Sequence, residues 1–106
     1  MKVGMFQMLD KQELLNLLNK QEYAKIIEYF SDEYNRILRE FLRINKLSFK
    51  ENSNMEELFM LVEENFPRFS GLIQIIRSSL IDEDLSTYDS LDNLISNYNY
   101  IKEKLT

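Results

Sequence analysis

Cysteine and histidine are absent from this chain, and glycine and proline nearly so, with two and one residues. Without cysteine there is no disulfide framework, no thiolate nucleophile and no cysteine-ligated zinc. Without histidine the commonest general base and the commonest metal ligand are both missing. Gly4, Gly71 and Pro67 are too few breakers for an all-β chain, which needs a turn signal roughly every 8–12 residues. No glycine-rich phosphate loop is present, and Ser70, Ser78 and Ser79 lie in no Gly-x-Ser-x-Gly elbow. No run approaches the roughly 18 apolar residues of a membrane span. The opening MKVGMFQMLDKQE has neither the apolar core nor the small-residue cleavage site of a secretion signal. The expectation is a cytoplasmic chain that does not enter a membrane, carries no cofactor or metal, and is not an enzyme.

What is present is an ordinary globular balance. The 106 residues are 44% hydrophobic and 29% charged, which fits one domain spanning 1–106. The formal charge of −5 disfavours non-specific nucleic-acid binding, although a local basic stripe can override it. Ten asparagines, ten isoleucines and eight lysines suggest an AT-rich coding sequence, as in a low-GC bacterium or its phage.

Helical periodicity dominates the rest. Asp10 and Glu13 stand at capping-box spacing before Leu14, Leu15, Leu17 and Leu18, predicting a short helix that ends near Asn19-Lys20. From Gln21 to Asn45, Tyr23, Ile26, Ile27, Phe30, Tyr34, Ile37, Leu38, Phe41 and Leu42 recur at steps of three and four, one continuous apolar face. Asp32–Arg36 and Arg36–Glu40 are expected as i,i+4 pairs on the opposite face. Residues 47–54 read as a polar loop. Ser53 and Glu56 predict the cap of a helix carrying Met55, Leu58, Phe59, Val62 and Phe66. Pro67 fits just inside the start of the next helix, with Phe69, Leu72, Ile73, Ile76 and Leu80, where Gly71 would permit a close crossing. After an acidic turn, Asp82-Glu83-Asp84, Ser86 and Asp89 would cap a last helix running from Tyr88 to Leu105. The fold class is all-α: an antiparallel up-and-down bundle of four main helices plus a short N-terminal helix.

Candidate sites are few. The acidic groups Glu56-Glu57, Glu63-Glu64 and 82–84 lack the inward Glu-x-x-His pattern of a di-iron bundle and the spacing of an EF-hand. They read as solvated surface. Arg36, Arg39, Arg43 and Lys46 follow at steps of three, four and three, with Lys50 just beyond. That stripe could contact RNA phosphates or an acidic partner. It could equally complement the helix dipole and pair with Glu33 and Glu40. Tyr29, Tyr100 and Phe49 fall off the main stripes, where aromatics anchor partners or cap the edge of a core. Val3, Met5, Phe6, Met8 and Leu9 are too apolar to be left in water, so they should dock on the bundle or on a second subunit, and a dimer is expected.

From Glu22 to Leu105 the layout resembles the HEPN family of small helical domains. The resemblance rests on Glu22-Tyr23-Ala24-Lys25 opening the long helix and on Ser53-Asn54-Met55-Glu56-Glu57-Leu58-Phe59 opening the next. It also rests on Arg77 near the end of the third helix and on a tyrosine-bearing last helix. Active members are metal-independent ribonucleases that use an arginine and a histidine four to six residues apart. Arg77 matches the arginine, but the matching window, Asp82-Glu83-Asp84, holds no histidine. The resemblance therefore implies a binding-only member with a vestigial Arg77. Such members pair with nucleotidyltransferases or act in toxin–antitoxin and defence systems, often as dimers. The leading expectation is a protein-interaction module. The alternatives are an RNA-binding domain using the basic stripe, and a small acidic phage or mobile-element protein that inhibits a host factor.

Overall fold

The longest apolar stripe in the sequence becomes the central element of a computed structural model that describes residues 11–81 and 88–106. Helix α2 (Tyr23–Ile44) buries Ile26, Phe30, Tyr34, Ile37, Leu38, Phe41 and Leu42 along one face. Each such side chain contributes roughly 1.5–3 kcal/mol when removed from water, far more than an exposed ion pair. Tyr23 and Ile27, at the edge of the stripe, are only partly buried.

Helix α1 (Lys11–Asn19) precedes α2 and buries Leu14 and Leu18. Asp10, its expected cap, lies outside the described residues. Both helices end in the same way without a glycine. Gln21 and Lys46 each adopt φ of 60°. Gln21 N–H donates to the Leu18 carbonyl and Glu22 N–H to that of Leu17, while Lys46 and Leu47 donate likewise to Arg43 and Leu42. These are Schellman closures with a side-chain-bearing residue in the left-handed position.

Helix α3 (Met55–Asn65) is capped one residue later than Ser53–Glu56 predicted. Asn54 Oδ1 accepts from Glu57 N–H, and Glu57 Oε1 accepts from Asn54 N–H, each at 2.9 Å. Ser53 is buried, and its hydroxyl accepts from Lys50 N–H inside the loop. Pro67 begins a single 3-10 turn, 67–69, which runs into helix α4 (Ser70–Ile81). The expected close crossing at Gly71 is not there: a Cβ built on it meets nothing within 4 Å. Helix α5 (Tyr88–Leu105) closes the chain, its proposed cap Ser86 lying outside the described residues.

Among the described residues every regular element is helical and there is no strand, so the chain is all-α. Helix α2 packs against each of α1, α3, α4 and α5; α4 also meets α3 and α5, and α1 meets α5. α3 and α4 form a hairpin, with Phe66 beside Phe69 at one end and Arg77 beside Glu56 at the other. Arg39 bonds the carbonyl of Ser53 and Phe41 meets Phe66, so both ends of α3 reach α2 within one turn. On the other side Tyr98 meets Phe30, Glu33 and Tyr34, and Lys102 and Thr106 lie beside Ile37 and Glu40. Numbers rise together along that contact, so α5 runs in the same sense as α2. Strict up-and-down alternation, expected from short connections, does not describe this pair.

Two substitutions test the local reading. Gly71→Ala fills open space in a helix and should add up to about 1 kcal/mol of stability. Gln21→Gly should add a similar amount by relieving the left-handed backbone. Urea midpoints compared at equal m-values check both; a loss of stability at Gly71 would show that the helix needs the glycine.

Candidate functional site

The basic stripe divides in two once folded. Arg36 turns away from the others. Its Nη2 donates to both carboxylate oxygens of Glu33, a residue only 6% exposed. The Tyr98 hydroxyl donates to Glu33 Oε1 at 2.9 Å. The acid is thus held by one cation and one hydroxyl from two helices, and the group joins α5 to α2. Glu33 stands three residues from Phe30 and four from Ile37, and that spacing was the signal in the sequence that it faces inward. Beside it lies a small cavity of about 160 Å³, lined by Arg36, Ile37, Glu40, Tyr98, Lys102 and Thr106.

Arg39, Arg43, Lys46 and Lys50 gather instead around the loop after α2, with Phe49 at the centre. The Arg39 and Arg43 guanidinium carbons lie 5.4 and 5.8 Å from the Phe49 ring centroid, within cation–π range. Arg39 is fixed by neutral acceptors, with Nε donating to Asn35 Oδ1 at 2.6 Å and Nη2 to the Ser53 carbonyl at 2.7 Å. Arg43 pairs with Glu40 at 2.8 Å. Among the described residues, no carboxylate lies within ion-pair distance of Arg39, Lys46 or Lys50. Two open depressions meet at Ser48 and Phe49. One, of about 310 Å³, continues over Met60 and Leu61, and the other, of about 450 Å³, over Arg43 and Lys46. Met60 is 55% exposed. Sequence reasoning missed Met60, because a single methionine between Phe59 and Leu61 carries no periodic signal of its own.

Arg77 belongs to the hairpin. Its Nη1 donates to both oxygens of Glu56 at 2.7 Å, Nη2 reaches Glu63 at 3.5 Å, and its guanidinium sits 4.7 Å from the Phe59 ring centroid. The paired carboxylates push its already high pKa further up. An arginine held in this way is a clamp between α3 and α4. Tyr29 packs edge-on against Phe30, whereas Tyr100 is 47% exposed beside Lys104. No cluster of three metal-ligating side chains occurs among the described residues. No described helix is long and apolar enough to cross a membrane. Val3, Met5, Phe6, Met8 and Leu9, and the acidic stretch 82–84, lie outside the described residues.

The tyrosines give a measurable pH dependence. Burial raises the pKa of Tyr34, whose hydroxyl has no hydrogen-bond partner among the described residues, and burial with the adjacent Glu33 raises that of Tyr98. Above the ordinary tyrosine value of about 10 the unfolded chain releases protons that the folded chain keeps, so stability falls as pH rises. Absorbance titration should show these two phenols ionising only together with loss of helical ellipticity; ionisation of all six tyrosines in a folded protein would contradict their burial. Comparison with known proteins found no family model, no curated protein and no solved structure that matches this chain.

Proposed function

We propose that this chain is a non-enzymatic helical interaction module whose contact face is the loop after α2 together with the adjoining flank of α3. The observation that carries the reading is the open depression where half-buried Phe49 and exposed Met60 meet. Apolar side chains are left accessible there beside Lys50, which no described carboxylate pairs. Aromatic and methionine side chains beside a rim of cations are the composition of protein contact surfaces. Within this reading the chain is a HEPN-like partner of the binding-only kind, acting beside a nucleotidyltransferase, toxin or defence component, alone or as a homodimer. The lack of any histidine supports the binding-only form. So does the engagement of Arg77 by Glu56 and Glu63.

A second reading, RNA binding through the same stripe, draws on the assembly of Arg39, Arg43, Lys46 and Lys50 around an aromatic ring. In-cell photo-crosslinking separates the two. A benzophenone amino acid at position 60 should give a discrete protein adduct, and one at exposed position 28 should not. Adducts that vanish on ribonuclease treatment would favour RNA, and silence at both positions would count against an interaction module altogether.

A further inference from the structure

The cations around Phe49 differ in how they are neutralised, and the difference says what should dock there. Arg43 shares a carboxylate with Glu40. Arg39 is held rigidly, but only by an amide oxygen and a backbone carbonyl, so its position is fixed while its charge is not cancelled locally. Lys46 and Lys50 lie beyond the end of α2 and, among the described residues, have no carboxylate within reach. In a chain of net charge −5, three cations with no described carboxylate in ion-pair range surround this loop, Lys50 at one depression, Lys46 at the other and Arg39 against the Phe49 ring.

The two depressions are chemically unequal. The one over Met60 and Leu61 has an apolar floor with Glu57 and Glu64 at its margin. The one over Arg43 and Lys46 is basic, with Glu51 as its single acid. Phe49 forms the ridge between them. We propose that this face docks an acidic segment of a protein partner, with an apolar side chain seated on Phe49, Met60 and Leu61 and carboxylates facing Arg39, Lys46 and Lys50. The inference rests on the interaction-module reading and adds the chemistry of the partner to it.

Two features favour a peptide over a polynucleotide. Glu51, Glu57 and Glu64 on the margins would repel a continuous phosphate backbone but tolerate a short acidic stretch placed over the cations. The exposed Met60 offers an apolar contact that an aliphatic or aromatic side chain fills and a ribose does not.

The test is an amide NMR titration of the full chain with a short synthetic peptide in which Asp and Glu alternate with Leu and Phe. Oligouridylate serves as the competing probe. Shifts should concentrate in residues 43–50 and 57–64. Lys46→Asn combined with Lys50→Gln should weaken the peptide Kd about five-fold or more, Asn being tolerated in the left-handed position. Met60→Ser should weaken it as well, and Lys104→Gln should leave it unchanged. Shifts spread elsewhere, no shift at millimolar peptide, or tighter binding of oligouridylate to the same amides would each overturn the proposal. A position-60 protein adduct in cells together with a negative peptide titration would remove the acidic-segment assignment alone and leave the interaction module standing.

Discussion

Glu33 is the constraint around which the described helices are arranged. A carboxylate taken out of water costs several kcal/mol unless charge and hydrogen bonds replace its solvation. Here Arg36, one turn further along α2, supplies the charge, and Tyr98 of α5 supplies a hydroxyl. The Tyr98 ring then packs edge-on against both Phe30 and Tyr34. An apolar face alone would let α5 slide or rotate over α2. A buried acid with one acceptable donor geometry fixes the register. Tyr98 thereby sits beside Ile37 at the edge of the small cavity.

Most of the chain's conspicuous polar groups are used in this internal way. Arg36 neutralises Glu33, Arg77 binds Glu56 and Glu63 across the α3–α4 hairpin, and Asn97 donates to buried Ser79 between α4 and α5. A reactive arginine must be free to meet a substrate phosphate, and Arg77 instead lies over Phe59 with both Glu56 oxygens bound. The loop after α2 is different. There Arg39 is held by neutral acceptors and faces the Phe49 ring, and Met60 beside it is open to solvent.

The helices were legible in the sequence because their apolar steps of three and four are long and uninterrupted: seven of the nine side chains named in the α2 stripe are buried. The cap of α3 was not legible to the residue. Ser53-x-x-Glu56 and Asn54-x-x-Glu57 satisfy the same spacing, and the choice falls to Asn54 because the loop engages the Ser53 hydroxyl with Lys50 N–H. Nor could a one-dimensional pattern show that both ends of α3 meet α2 within one turn, since that depends on Arg39 reaching the Ser53 carbonyl and on the pairing of Phe41 with Phe66 and Phe69. The basic stripe was visible as spacing, but its division was not. Arg36 leaves it for an acid three residues back, whereas Arg39 and Arg43 meet a phenylalanine brought round by a Schellman turn that no glycine announced.

The most site-like polar cluster, Glu33 with Arg36 and Tyr98, is a structural tie between α2 and α5. In a double-mutant cycle of Glu33→Ala and Tyr98→Phe, read by urea unfolding, the predicted coupling is about 1.5–3 kcal/mol, the range for a hydrogen bond to a charged group. Additivity to within about 0.3 kcal/mol would contradict the tie.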